Sequence, residues 1–222
     1  MIVAFAGQKG GAGKSTAAVC VAAEALARGK SVLLVDADPQ GTARTWGDVA
    51  TEAGHPAPTV IAMGSQMHRP EQLPTVAARF DLTVIDCPPR AGDVQRSALM
   101  VADVVILPCG PSAADAWGLA GSLELVGEAQ TVRPSLRAAV LLTRVQARTA
   151  LGKGARAVLA DCGCAVLRTE LGLRVDFQEC LAAGRGVTTY APRGPSAREV
   201  RALLVELEAL GRKTHGKTKA RR

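Results

Sequence analysis

With 222 residues and 48% apolar side chains, the chain is long enough to bury one full core. Aromatic residues make up only 3%, which argues against a stacking platform for single-stranded nucleic acid. The net charge of +7 is gathered at one end: RKTHGKTKARR (212–222) carries six Lys or Arg and no acid, leaving 21 basic against 20 acidic side chains in the other 211 residues.

In chain order, short apolar runs alternate with helical patterns. Ile2–Ala6 reads as a buried strand and Ser15–Arg28 as a helix closed by Gly29. Ser31–Asp36 is the next strand, Thr42–Ala53 is helical, and Thr59–Ala62 is a short strand. Gly64–Pro70 is loop-like, and Glu71–Arg79 reads as a helix despite Pro74. Asp81–Asp86 is a strand, Val94–Val101 a helix, Asp103–Pro108 a strand, Ala114–Gln130 one long helix and Leu136–Thr143 a strand. Ala150–Asp161, Arg174–Ala183 and Pro195–Leu210 look helical, with a strand at Cys164–Leu167.

Continuously apolar strands separated by helices predict parallel strands covered on both faces. The expectation is an α/β protein: a single doubly wound, mostly parallel sheet of about seven strands over residues 1–211, then a basic, disordered tail at 212–222. No run of about 18 apolar residues exists to span a membrane, and no basic segment precedes the first apolar run as in a secretory signal. Six cysteines (Cys20, Cys87, Cys109, Cys162, Cys164, Cys180) form no C-x-x-C pair. A reduced cytoplasm is the expected location.

Ligands of such sheets sit beyond the carboxyl ends of the strands. The first end is GQKGGAGKST (7–16). Gly10, Gly11 and Gly13 let backbone N–H groups curl around an anion, and the following helix adds its positive end. Lys14 can reach terminal phosphates, and Ser15 can ligate Mg²⁺. The strict phosphate-loop pattern has Gly where this chain has Gln8. A second strand ends in Asp36-Ala37-Asp38-Pro39, two carboxylates that favour function over a plain turn. A third delivers Asp86 before Cys87-Pro88-Pro89, as phosphate-loop enzymes hold a metal from the far side. A fourth, Pro108-Cys109-Gly110-Pro111-Ser112, is less informative.

KGGAGKST (9–16), DADPQG (36–41) and TVIDCPP (83–89), in that order, resemble the ParA branch of the deviant Walker A ATPases, which position plasmids, chromosomes and large protein complexes. The resemblance continues through VILPCGPSAADAWG (105–118), LLTRVQ (141–146) and LRVDFQECLAAGRGV (173–187). It implies ATP and Mg²⁺ as ligands, held by Gly10, Gly11, Ala12, Gly13, Lys14, Ser15 and Thr16. Asp38 would orient the attacking water, Asp36 and Asp86 would help place the metal, and Thr143, Arg144 and Pro192 would flank adenine. Lys9 matches the signature lysine, which reaches across a face-to-face dimer to the partner's phosphates.

The same resemblance implies an ATP-dependent homodimer that binds DNA without sequence preference, through Arg174, with Arg168 and Arg185, and the Arg212–Arg222 tail. A ParB-like or cargo-adaptor protein would stimulate hydrolysis, which is slow without it. Location would be cytoplasmic, on the nucleoid when ATP is bound, with no membrane contact. One alternative is a MinD-like membrane ATPase, but the terminal run lacks the bulky apolar residues of an inserting helix. Others are a phosphate-loop synthetase with no use for Lys9, and an iron–sulfur ATPase, whose ligand spacing Cys87 and Cys109 do not match.

Overall fold

Ile2–Phe5 (β1) shares its side chains between two buried layers: Val3 and Phe5 face one, Ala4 and the following Ala6 the other. Val32–Asp36 (β2) does the same, with Val32 and Leu34 on the first side and Leu33 and Val35 on the second. Coverage of both faces is why these runs are apolar throughout rather than alternating. The remaining strands are Thr59–Ala62 (β3), Leu82–Asp86 (β4), Val104–Cys109 (β5), Arg137–Val145 (β6) and Ala165–Gly172 (β7). In this computed structural model, which describes residues 1–215 with side chains to Arg212, they form one sheet in the order β3-β2-β4-β1-β5-β6-β7. Every pairing is parallel, so the sheet is wholly rather than mostly parallel among the described residues.

The helices are Lys14–Ala27 (α1), Thr42–Glu52 (α2), Leu73–Ala77 (α3), Gly92–Val101 (α4), Ala113–Trp117 (α5), Ala120–Val132 (α6), Ala150–Val158 (α7), Asp176–Ala182 (α8), Val187–Tyr190 (α9) and Pro195–His215 (α10). Side chains of α1, α2, α8, α9 and α10 fill the core on one face of the sheet, and those of α3, α4, α6 and α7 fill the other. Val200, Leu203, Leu204 and Leu207 are fully buried at the i, i+3, i+4, i+7 spacing of one helical stripe. At about 2 kcal/mol for each buried side chain, α10 is an integral part of that core.

Several boundaries differ from expectation, and the short helix α9 was not expected. The single helix predicted over Ala114–Gln130 is two, α5 and α6. Between them the Leu119 N–H bonds back only three residues, to the Ala116 carbonyl, and Leu119 turns into the core while Trp117 stays 76% exposed. β7 runs on to Gly172, because Glu206 of α10 accepts from the Arg168 and Thr169 amides and covers part of this edge strand. Helix α3 is shorter than Glu71–Arg79, with Pro74 in its first turn. Helix α10 continues past Leu210, with an i,i+4 pair from Glu208 to Arg212 at 3.7 Å. The basic run is therefore helical through His215, and residues 216–222 lie outside the described residues.

An all-parallel sheet sends every carboxyl end to one edge. There Phe5 and Asp36 both stand opposite Asp86, so the ends of β1, β2 and β4 meet at one level.

Close approach of two helices gives a stability test. Gly184, just after α8, has φ +60°, and a Cβ there would lie 2.6 Å from the Ala50 nitrogen of α2. Gly184→Ala combines left-handed strain with a backbone clash and should cost about 2–4 kcal/mol, read as a lower urea midpoint at unchanged slope. A midpoint equal to wild type would mean that α2 and α8 are not tightly apposed.

Candidate functional site

The loop after β1 curls through left-handed backbone at Gly11 (φ +69°) and Gly13 (φ +89°), which opens directly into α1. Gly7, with φ +140°, provides one residue earlier the freedom that the usual pattern places at the position of Gln8. Neighbouring elements brace the loop. The Gln8 amide donates to the buried Ser122 hydroxyl of α6 at 3.1 Å. The buried Gln95 amide of α4 donates to the Pro88 carbonyl at 2.8 Å and to that of Gly7 at 3.4 Å. The Thr143 hydroxyl of β6 bonds to the Ala12 carbonyl at 2.8 Å.

The two lysines point to different places. Lys14 is buried, and its Nζ donates to the Lys9 carbonyl at 2.9 Å. Burial lowers its pKa, and the carboxylates of Asp86 and Asp38 only partly restore it. The Lys9 side chain instead leaves the loop and bonds to Asp115 of α5 at 2.5 Å.

Gly10, Gly11, Ala12, Gly13, Lys14, Ser15 and Thr16 line a cavity of about 260 Å³ together with Asp38 and Pro89. Asp38 also accepts from the Gln40 amide at 2.9 Å, so it serves both the turn and the cavity. Asp36 and Asp86 are both buried, but they differ in kind. One Asp36 oxygen accepts from the Asp38 amide, and the other from the Arg44 amide, with the Arg44 guanidinium at 3.5 Å. Those bonds make Asp36 the clamp of the β2–α2 loop. Neither Asp86 oxygen has a well-formed hydrogen bond, although the Ser15 hydroxyl lies close enough to favour the ionised form. Burial pushes the Asp86 pKa up to about 7, against the pull of Ser15 and Lys14 and with the help of Asp36 and Asp38. An unpartnered buried carboxylate beside a hydroxyl and an anion cradle suits Mg²⁺, which takes one or two protein oxygens and keeps water or phosphate for the rest.

A second cavity, of about 170 Å³, shares Gly11, Gly13 and Thr16 with the first and continues along Thr143, Arg144, Leu171, Gly172, Leu173, Arg174, Phe177 and Gln178. Shared walls join the two cavities into one trough. Arg144 has φ +57° and sits where the β6–β7 register slips, which re-aims its side chain. Its guanidinium bonds to Asp115 at 3.1 Å, and its Nε is buried without a partner among the described residues. Pro192 does not line the trough; its carbonyl accepts from Arg201 at 2.9 Å. Gln178, Leu173 and Phe177 line it instead.

Arg174 departs from expectation as well. It lines the trough, and its guanidinium bonds twice to Glu199, at 2.6 and 3.1 Å. That pairing raises its pKa and offsets its charge, so it is not a free cation on an outer face. Cys87 and Cys109 are both buried, and burial pushes both thiols up, Cys109 to about 11. Asp115, which meets both Lys9 and Arg144, is a residue that motif reading passed over. Its signal was Ser112-x-x-Asp115, a capping box directly after β5, and that box is formed.

A sequence profile of the CobQ/CobB/MinD/ParA nucleotide-binding domain matches residues 3–187. The chain belongs to that family. Among its relatives is the maintenance of carboxysome distribution protein A of Halothiobacillus neapolitanus, 30% identical over 198 residues, which cover 89% of this chain and 91% of that protein. The chromosome-partitioning ATPase Soj of Thermus thermophilus is 30% identical over 236 residues, covering 93% and 95%. The fold is also that of the septum site-determining protein MinD of Pyrococcus horikoshii, solved with Mg-ADP, at a TM-score of 0.71 and 18% identity over 96% and 98% of the two chains.

The raised pKa of Asp86 sets a pH dependence. An acid that titrates near 7 when folded and near 4 when unfolded binds more protons in the folded state across that window. The nucleotide-free chain should therefore lose stability as pH rises from about 4 to about 7, then level off, by about 2–4 kcal/mol at most. Asp86→Asn should flatten this trend in urea unfolding and raise stability at pH 8, while abolishing magnesium-dependent turnover. An unchanged profile would place the titration elsewhere.

Proposed function

We propose that this chain is a ParA-type positioning ATPase that hydrolyses ATP to ADP and phosphate, slowly without a partner. The observation that carries this is the division of labour between the lysines. Lys14 is buried inside the phosphate cradle, while the Lys9 side chain lies outside it, 40% exposed. A phosphate loop needs only the first. An exposed second ammonium beside the cradle fits a role toward phosphates held by another copy, where it would neutralise charge in a water-poor interface.

Lys14 and the loop amides hold phosphate. Ser15 and Asp86 are the residues suited to Mg²⁺, which when bound spreads the phosphate charge. Asp36 acts indirectly, by clamping the loop that carries Asp38, and Asp38 orients the attacking water. Leu173, Phe177 and Gln178 flank the base.

Non-specific DNA binding by the ATP dimer is part of the proposal, with its surface moved from Arg174. The Arg185, Arg198 and Arg201 guanidinia hydrogen-bond to backbone carbonyls, of Thr189, Arg193, and Pro192 with Thr188. Carbonyls orient a guanidinium without cancelling its charge. Arg193 is exposed in the same segment, and Glu24, 3.9 Å from Arg201, pairs more closely with Arg28 at 2.7 Å. This surface, with the basic run at 212–222, suits phosphate contacts rather than base reading. Two copies on one duplex would turn weak contacts into avid, ATP-gated binding. The setting would be the cytoplasm, on the nucleoid in the ATP state, with a ParB-like or cargo-adaptor protein stimulating hydrolysis and release.

Light scattering with ATP and magnesium tests the core of this reading. Lys14→Ala should lose nucleotide binding. Lys9→Ala should keep binding yet stay monomeric, and Asp38→Ala should dimerise and fail to turn over. A Lys9→Ala protein that dimerises normally would sink the reading. On random-sequence duplex, anisotropy titrations should show ATP-dependent binding with a log–log salt slope of about −0.9 per phosphate neutralised. Arg198→Ala with Arg201→Ala should weaken that binding and flatten the slope, and Arg174→Ala should not flatten it; equal affinity with ATP, ADP and no nucleotide would rule out the gate.

A further inference from the structure

We propose that Asp115 is a positioning residue that stores Lys9 inside its own subunit, so that assembly with a second copy must first exchange this carboxylate for phosphate. The proposal rests on the reading of Lys9 as the residue that reaches the other copy.

The geometry is that of a hub. One Asp115 oxygen accepts from Lys9 at 2.5 Å and from Arg144 at 3.1 Å. The other accepts from the Ser112 hydroxyl at 2.5 Å and the Ser112 amide at 3.2 Å. Burial alone would push the Asp115 carboxyl up, but the Lys9 and Ser112 bonds outweigh it and hold the group at about 2. The anion is therefore permanent at any physiological pH. Gly110 leaves the room: a Cβ there would come within 2.4 Å of an Asp115 oxygen and 2.6 Å of the Arg144 guanidinium. The pair is thus fixed on the Asp115 side and loose on the Lys9 side, with side-chain exposures of 8% and 40%.

Two further facts tie the hub to nucleotide and to a second copy. Lys14, the residue that meets phosphate, is bonded to the Lys9 carbonyl, so its transfer to phosphate releases the backbone of the stored lysine. Large apolar side chains are exposed around the hub: Trp117 at 76%, Leu151 at 53% and Leu173 at 52%. Leu151 and Leu173 line the same cavity as Asp115 and Arg144, and Trp117 precedes Gly118, which faces the Lys9 stem. A second copy seated there would cover them and meet Lys9 at the point of its release.

The test uses Asp115→Asn, which keeps the shape and the Ser112 contacts and removes the charge. Its expected signature is a gain: dimerisation at an ATP concentration about 3- to 5-fold lower than wild type, the scale of a half-exposed ion pair. Unstimulated turnover should rise in parallel. Structural damage would move both readouts the other way. Adding Lys9→Ala to Asp115→Asn should abolish the gain. An Asp115→Asn midpoint at or above wild type, in a protein with a wild-type melting curve, overturns the stored-lysine proposal; Lys9→Ala staying monomeric would then leave the reading of Lys9 intact. Lys9→Ala dimerising normally removes both. Wild-type protein supplies a second measurement independent of folding variants. A zero-length carbodiimide should join Lys9 to Asp115 in the nucleotide-free chain, detected as a cross-linked peptide, and lose that product with a non-hydrolysable ATP analogue and magnesium. The same yield in both states overturns the proposal.

Discussion

A buried ammonium governs the site. Lys14 has its charge out of water, with a backbone carbonyl as its hydrogen-bond partner and carboxylates near enough to be felt. A charge so placed is tolerable only where anions compensate it. The chain provides compensation with Asp86 at the end of β4 and Asp38 just beyond β2, while Asp36 ends β2 at the level of Asp86. That creates the opposite problem, since two buried carboxylates repel and Asp86 is left without a well-formed bond. The loop region therefore carries unresolved polarity of both signs, the condition in which a phosphate and a divalent cation together complete the charge balance.

Such a site holds its shape only because it is braced from outside. Ser122, Gln95 and Thr143 come from three different elements and each fixes a backbone group of the phosphate loop. Gln95 also holds the Pro88 carbonyl, so the segment after Asp86 and the start of the loop share one buried side chain. Movement in either is felt by the other through that link. Rigidity is concentrated where phosphate would bind, and the Lys9 side chain is left on the exposed margin.

Charge is distributed in the same selective way. Arg174 and Arg144 face the trough and are matched by Glu199 and Asp115. Arg185 and Arg198, near α9 and α10, are held by carbonyls, and Arg201 is held by carbonyls with Glu24 only at 3.9 Å. A cation matched by a carboxylate shapes a pocket; one matched by a carbonyl remains available to a polyanion. That distinction, rather than the count of basic residues, separates the two surfaces.

What the sequence by itself determined was local. Apolar runs marked at least part of each of the seven strands among the described residues, and Gly-rich punctuation before a helix marked the loop after β1, because these signals reside in neighbouring residues. Asp36 and Asp86 were legible as strand ends for the same reason, with Asp38 two residues beyond the first. Tertiary structure alone decided the rest. Asp36 and Asp86 look alike in sequence, and only the turn of β2 into α2 gives one its partners and leaves the other bare. Arg174 reads as a free cation until α10 brings Glu199 to it across 25 residues. Lys9 meets Asp115 across 106 residues, because β5 lies beside β1 in the sheet and its end lifts α5 against the loop. Pairings of that span depend on strand order, and strand order is set by which apolar faces bury together, not by any residue's immediate neighbours.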